Sequence, residues 1–291
     1  MLVTGATGQV GHALAAHGWP EGWRAVALGR DRLDLRDPAA IAAAVAERPW
    51  AAVVNAAAYT AVDRAESETT TAWAVNATAP AAFAAACRAK DVPLVQVSTD
   101  YVFDGSKRGS WEVDDAVGPL GAYGASKLGG EIAVRRSGAR HAIVRTSWVV
   151  GAHGANFVKT MLRVGAERPV VRVVDDQHGG PTAARDLAAA LAAVAVRLAE
   201  DRKAPTGVFH FANAGATTWA GFATAIFAGA AARGLPVPAV EPIATADYPT
   251  PARRPLNSLL ATGSIEAFGV APRRWEAALD DILDDLIGAR A

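Results

Sequence analysis

Met1-Leu-Val-Thr-Gly-Ala-Thr-Gly-Gln-Val-Gly11 opens the chain and decides its fold class. An apolar strand pattern over residues 1–4 runs straight into glycines at positions 5, 8 and 11, and an alanine-rich helical stretch follows from His12 to His17. Glycines spaced three apart let the backbone turn tightly and approach a pyrophosphate closely, just where a helix start presents free amides. Gly5, Thr7, Gly8, Gln9, Val10 and Gly11 therefore form a candidate cradle for a dinucleotide. The spacing is GxxGxxG, not the commoner GxGxxG, so glycines serving only as turn residues are the competing reading. His12 has no ligand-type neighbours in sequence and reads as a surface or capping histidine.

The next strand pattern, residues 24–29, ends at Arg30. An acidic residue there would hold a ribose 2′-hydroxyl, whereas an arginine suits a 2′-phosphate, which favours NADPH and leaves NADH open. The alternative makes Arg30 a solvated surface charge; Asp34 nearby is placed to accept an adenosine hydrogen bond. Asp37-Pro38 predicts a capped helix start, with the crossover helix over 39–48. The strand over 51–54 then leads to Asn55-Ala-Ala-Ala-Tyr59, where Ala56, Ala57, Ala58 and Tyr59 lie at the edge that collects ligands in open parallel sheets. Close helix packing is the plainer explanation of those alanines. Residues 72–90 predict one long helix containing Asn76.

Pro93-Leu-Val-Gln-Val-Ser-Thr99 is a buried-strand pattern that delivers Ser98, Thr99 and Asp100 to the same edge. A hydroxyl there is suited to donate to a carbonyl oxygen. Beyond a loop, Tyr123 and Lys127 sit four apart in a helical pattern, on one face, so a phenol and an ammonium can meet one bound molecule. An acid–base pair is one reading; a packed tyrosine beside a snorkelling lysine is the other.

Composition narrows the class. With 51% hydrophobic and 20% charged residues and a formal net charge of zero over 291 residues, the chain reads as an ordinary globular protein with one or two closely joined domains. Nothing suggests a nucleic-acid partner. The single cysteine, Cys87, has no second thiol for a disulfide or zinc cluster, and the acidic run over 110–115 lacks partner histidines, so no catalytic metal is expected. Without a basic leader before the first strand, or an apolar run longer than residues 187–196, the expectation is a cytoplasmic protein with no membrane segment.

In the second half, a strand over 140–146 ends near Trp148, a helix over 156–164 precedes a strand over 169–174, and the 175–182 loop turns back toward the site. His178 reads as a loop hydrogen bonder. A helix over 183–200, a strand over 207–213 and a helix over 219–232 follow. The Pro-rich stretch 236–255 reads as irregular; its Arg253-Arg254 offers a donor fork suited to a diphosphate, against a plain surface-charge reading. Residues 275–287 close the chain as an amphipathic helix with acidic faces, unsuited to a membrane surface.

This combination resembles the extended short-chain dehydrogenase/reductase family and, within it, the dTDP-4-dehydrorhamnose reductases. The resemblance is carried by Gly5-Ala-Thr-Gly-Gln-Val-Gly11, Leu33-Asp34-Leu35, Asn55-Ala-Ala-Ala-Tyr-Thr60, Val62-Asp63, Ser98-Thr-Asp-Tyr-Val-Phe-Asp-Gly105 and Tyr123-Gly-Ala-Ser-Lys-Leu-Gly-Gly-Glu131. It continues through Arg145-Thr-Ser-Trp-Val149, Asn156-Phe-Val-Lys-Thr-Met161, Asp176-Gln-His-Gly-Gly-Pro-Thr182 and Arg253-Arg-Pro-Leu-Asn-Ser258, so it covers essentially the whole chain.

The resemblance implies an α/β fold, a Rossmann-type doubly wound parallel sheet with a smaller C-terminal substrate-binding lobe. Residues 1–150 joined by 183–212 would bind the dinucleotide; residues 151–182 and 213–291 would bind the nucleotide sugar. It implies reduction of the C4 ketone of dTDP-4-dehydro-β-L-rhamnose by NADPH or NADH. Tyr123 would be the general acid and Lys127 its partner and nicotinamide-ribose ligand, lowering the tyrosine pKa; Thr99 would steady the ketone. Leu35 joins the cofactor contacts on the same ground, and Asp100, Val102, Phe103, Trp148, Asn156, Arg254 and Asn257 the substrate contacts. Leu259 stands where members of the family often carry a basic residue. A homodimer is compatible with the resemblance, with Mg2+ at its interface unassigned to residues. Three alternatives stay open: a reductase of another dTDP-4-keto-6-deoxysugar, an epimerase or dehydratase of the same superfamily, and a non-catalytic dinucleotide-binding subunit like the regulatory subunit of methionine adenosyltransferase.

Overall fold

The computed structural model describes residues 1–289. Six short apolar runs become strands: β1 (Leu2–Thr4), β2 (Val26–Leu28), β3 (Val53–Asn55), β4 (Leu94–Thr99), β5 (His141–Thr146) and β6 (Gly207–His210). They pair in parallel in the order β2-β1-β3-β4-β5-β6. Successive side chains of a strand point to opposite faces. Leu2, Val53, Leu94 and Ile143 accordingly join one core cluster, and Val3, Val54, Val95 and Val144 the other. Burial on both faces is why these strands read as unbroken apolar runs without alternation.

Helices cover both faces. Leu14 of α1 (Gln9–Ala16) and Leu187, Leu191 and Leu198 of α6 (Ala184–Glu200) pack on one. Ile41 and Val45 of α2 (Pro38–Ala46), Phe83 of α3 (Ala79–Lys90) and Val134 of α4 (Ala122–Arg136) pack on the other. The Asp37 side chain caps α2 by accepting from the amides of Ala39 and Ala40, at 2.9 and 3.1 Å.

The long helix predicted over 72–90 is interrupted. A short helix (Thr69–Trp73) passes into a π-helical turn (Ala74–Thr78) before α3 begins. Pro80 has no N–H to give the Asn76 carbonyl four residues earlier, which frees that carbonyl and widens the turn. The freed oxygen faces α4 at Gly130, where a Cβ would come closer to it than 3.0 Å.

A third cluster gathers Val158 and Met161 of α5 (Phe157–Glu167), Phe222 and Ile226 of α7 (Trp219–Ala231), and Trp275, Leu279 and Leu283 of α8 (Trp275–Ile287). Against it lies a parallel pair, Val170–Val174 with Ala239–Ile243. The second of these strands falls in the stretch read as irregular: it contains Pro242 and has one strand neighbour, the circumstance in which sheet patterning is weakest. The C-terminal part of the chain is also less self-contained than the 213–291 boundary implied. Ile265 is fully buried in a main-sheet cluster, and Leu260 packs with Phe103 and Trp111, so this segment returns to the first domain. The last two residues of 213–291 lie outside the described residues.

Strand order reverses at β1, since β2 lies to one side and β3 to the other. The carboxyl ends of β1 and β3 therefore flank the crevice where ligands of such sheets bind. A buried polar ladder ties that edge together: Thr4 Oγ1 donates to Asn55 Oδ1 at 2.6 Å, and Asn55 Nδ2 to Gln96 Oε1 at 2.8 Å.

Candidate active site

The glycine loop between β1 and α1 is shaped by close approaches. Gly5 has φ +78°, in the left-handed region, and a Cβ on it would lie 3.1 Å from the Ala57 backbone. The Gly8 amide donates to the Gly5 carbonyl at 2.9 Å. A Cβ on Gly11 would fall within 3.0 Å of that same carbonyl oxygen. The absence of a Cβ at Gly5 and Gly11 lets the loop close into a concave surface at the start of a helix, and it fits a dinucleotide pyrophosphate. Thr7 is exposed and Val10 half-buried beside it, while Ala56, Ala57, Ala58 and Tyr59 are half-buried beyond β3.

Gln9 reaches across to the second lobe. Its Nε2 donates to the Val149 carbonyl at 3.1 Å, and its Oε1 accepts from Asn156 Nδ2 at 3.0 Å. Asn156 also donates to Gly151 O and accepts from the Lys159 amide, capping α5. The amide assigned to substrate is thus engaged in joining the lobes.

At the adenosine end, Arg30 is exposed. Asp34 pairs with Arg36 at 2.6 Å, and hydrogen bonding from that guanidinium holds its carboxyl well below the usual range. Leu35 is a core side chain rather than a surface one.

α4 carries the central pair. Its N-terminus is held by Glu66, whose Oε1 accepts from the Ala122 amide at 2.8 Å, an anion placed favourably for the helix dipole. Asn76, from the π-turn, accepts from the Tyr59 amide and donates to the Tyr59 carbonyl and to Ser126 Oγ; Ser126 donates in turn to the Tyr123 carbonyl at 2.8 Å. The loop after β3 and the first turn of α4 are thereby one hydrogen-bonded unit.

Thr99, at the end of β4, donates to Asp100 Oδ1 at 2.9 Å. Tyr123 is half-buried, edge-on to Tyr101 with ring centroids 5.4 Å apart. Burial pushes the Tyr123 phenol up from its ordinary pKa, with hydrogen bonding to Thr99 pulling the other way and Asp100 adding to the rise. The lowering expected from Lys127 is therefore corrected: desolvation dominates, and Lys127 is turned to the Val97 carbonyl, to which its Nζ donates at 2.7 Å. Burial also brings Lys127 down to about 8, with Glu131 pulling it back up. Asp100 is pushed up to about 6 by burial, against the Ser258 and Thr99 hydroxyls beside it.

Several expected substrate contacts sit differently. Val102 and Phe103 are fully buried, with Phe103 stacked on Trp111 at 4.4 Å, so their side chains pack into the core close behind Thr99. Trp148 adopts φ 46°, a strained conformation for a bulky residue, and one ring face is stacked on Trp219 at 3.6 Å. Arg254 pairs with Asp63 at 2.7 Å and is not a free fork. Asn257 donates to the carbonyls of Lys107 and Gly109 and accepts from the Leu259 amide, which uses its amide in loop closure.

Glu66, Ser126, Glu131 and Arg145 were not legible as site residues. Their signals were an acid one turn beyond Lys127, an arginine following three apolar strand residues, and the presence of Ser126, Glu131 and Arg145 in the motifs that carry the resemblance. Among the described residues no group of three or more His, Cys, Asp or Glu side chains could hold a metal ion, so the Mg2+ considered for a dimer interface has no support. No helix is long and apolar enough to cross a membrane.

Comparison with known proteins places the chain and its fold among relatives. Residues 1–287 match the family described as the RmlD substrate binding domain. The dTDP-4-dehydrorhamnose reductase of Burkholderia thailandensis is 43% identical over 295 residues, covering 99% of each chain. The crystal structure of a dTDP-4-dehydrorhamnose reductase from Clostridium acetobutylicum has a TM-score of 0.90 at 35% identity, covering 97% of this chain and 98% of that one. That of Bacillus anthracis, in complex with NADP, has a TM-score of 0.88 at 33% identity over 97% of each.

Proposed function

Because the chain belongs to the RmlD substrate binding domain family, we propose that it reduces the C4 ketone of dTDP-4-dehydro-β-L-rhamnose, giving dTDP-L-rhamnose, with NADPH as reductant. It is an NAD(P)H-dependent oxidoreductase with a Rossmann-type fold. The observation that carries the reading is the approach of Tyr123, on α4, to Thr99 at the carboxyl end of β4, with Lys127 one helical turn on and donating to the Val97 carbonyl of the same strand.

Gly5, Gly8 and Gly11 would hold the pyrophosphate of the reduced dinucleotide, whose contribution there would be hydride donation to the carbonyl carbon. Tyr123 donates its phenolic proton to the ketone oxygen as negative charge develops there. Desolvation makes that phenol a poor acid at rest, and so keeps the proton in place until an alkoxide, a stronger base than phenolate, begins to form. Lys127, as an ammonium, stabilises the phenolate that results. Thr99 exchanges its bond to Asp100 for one to the ketone oxygen. Arg254 meets the diphosphate by exchanging Asp63 for it, with residues 1–150 and 183–212 serving the cofactor and 151–182 with 213–291 the nucleotide sugar.

The test is purified protein with dTDP-4-dehydrorhamnose and either NADPH or NADH, following cofactor oxidation and the product's configuration at C4. One cofactor oxidised per sugar, with the rhamnose configuration, is the expected outcome; oxidation of neither cofactor sinks the reading. A different C4 configuration assigns another dTDP-4-keto-6-deoxysugar.

Arg30 decides the cofactor preference. Arg30→Ser should raise KM for NADPH by about 10–100-fold, the loss of one charge-assisted contact to a 2′-phosphate, and leave NADH unchanged. Equal effects on the two cofactors would remove Arg30 from the 2′-phosphate site.

A further inference from the structure

Two successive turns of α4 are fastened to two successive residues of β4. Lys127 Nζ donates to the Val97 carbonyl at 2.7 Å, and Ser98 Oγ donates to Glu131 Oε1 at 2.5 Å. The next residue on the strand is Thr99. From β5, Arg145 grips the same carboxylate in a fork, Nε to Oε1 at 2.9 Å and Nη2 to Oε2 at 2.7 Å. Glu131 is 1% exposed, Arg145 2% and Lys127 4%. The guanidinium also donates to the Val113 carbonyl at 3.2 Å and lies over the Phe103 ring.

A buried ion pair of this kind is weak evidence for stability, since well-packed apolar residues often replace one at no loss. What apolar residues would not supply is a fixed negative charge one helical turn from Lys127 and a tie at a defined register between the strand carrying Thr99 and the helix carrying Tyr123.

Resting on the proton-transfer roles given above to Tyr123 and Lys127, we propose that Glu131 is a positioning residue. Held by Arg145 and Ser98, its carboxylate keeps Lys127 an ammonium and locks α4 against β4 so that Tyr123 meets Thr99.

The charged and titratable groups around this pair are Tyr123 on α4, Asp100 after β4, Arg145 on β5 and His210 on β6. His210 is brought down to about 3, by burial first and then by Arg145, and so is neutral throughout the useful range. Tyr123 titrates above its ordinary value and Asp100 near 6. Lys127, near 8, is the group left to govern an alkaline limb. Reduction needs it charged, so activity is present below its pKa and lost as pH rises through it. Without Glu131 the desolvation of Lys127 is opposed by less, its pKa falls, and the limb moves to lower pH.

The test compares kcat/KM against pH for the full-length protein and Glu131→Gln, alongside titration of the Lys127 Cε resonance in 13C-lysine-labelled protein. The chain has five lysines, and Lys127→Arg identifies the resonance. Both midpoints are expected to fall by about one pH unit or more in Glu131→Gln. Glu131→Asp should restore the midpoints to near the parent value while kcat stays low, because the shorter acid keeps the charge and loses the register. Should Glu131→Gln fail to fold, with Arg145 left unpaired, Glu131→Gln combined with Arg145→Met removes the anion and the opposing cation together; both midpoints should still fall, by less than in Glu131→Gln, and kcat should stay low through the lost register. A folded variant that loses kcat with unmoved midpoints, or an Asp variant that titrates like Gln, overturns the proposal. If the parent protein reduces no keto-sugar, the reductase reading falls, while the lysine titration still decides the coupling to Glu131.

Discussion

Tyr123→Phe should lower kcat by about 10³-fold and leave the dissociation constant for NADPH within about twofold of the parent. The substitution removes one oxygen, and its ring still packs edge-on against Tyr101, so the change falls on proton donation. Because the phenol holds its proton through neutral pH, the loss should be the same across that range. Single-turnover reduction at saturating cofactor is the appropriate measurement. A rate equal to the parent's would assign the proton to another group, and an equal loss of NADPH binding would mean that the ring had moved.

Gly11→Ala should cost about 1–3 kcal/mol of stability through overpacking and weaken NADPH binding by roughly 100-fold, the equivalent of some ~3 kcal/mol. The added methyl would meet the carbonyl oxygen of Gly5 closer than 3.0 Å. That oxygen also accepts from the Gly8 amide at 2.9 Å, so it cannot withdraw without opening the loop. Gly8→Ala is the internal comparison: its Cβ would meet the same oxygen at 3.4 Å, an ordinary contact, and its effect should be several-fold smaller. Thermal unfolding and titration of both variants with NADPH would check the order; equal losses would mean that the crowding at Gly11 is not what shapes the cradle.

The site residues legible from sequence were those whose signal is local. Gly5, Gly8 and Gly11 announce a turn by their spacing, and Tyr123 and Lys127 share a helix face by theirs. Arg254 shows what that method leaves out. Two adjacent arginines in a Pro-rich stretch suggested free donors, yet Asp63, 191 residues away in sequence, already holds one of them. Asn156 and Asn257 are alike in this: an asparagine announces hydrogen bonding, but nothing nearby says that its partners include Gln9 or the carbonyls of Lys107 and Gly109. Asn76 lies between. Its π-turn follows from Pro80 four residues on, whereas its bond to Ser126 depends on how α4 packs.

By itself, then, the order of residues determined the parallel α/β class, the glycine cradle and the Tyr123–Lys127 face, since each follows from steric and periodic rules acting within a few residues. Only the tertiary structure decided how those groups are charged and held. Lys127 next to Tyr123 in a helix predicts a lowered phenol, and the folded site reverses it because desolvation outweighs a cation that is turned toward Val97. The same holds for Glu131, an ordinary helix acid in the sequence that becomes a buried counter-ion once β4 brings Ser98 and β5 brings Arg145 against it. Burial and long-range pairing are properties of packed elements, and they set the energies on which proton transfer depends.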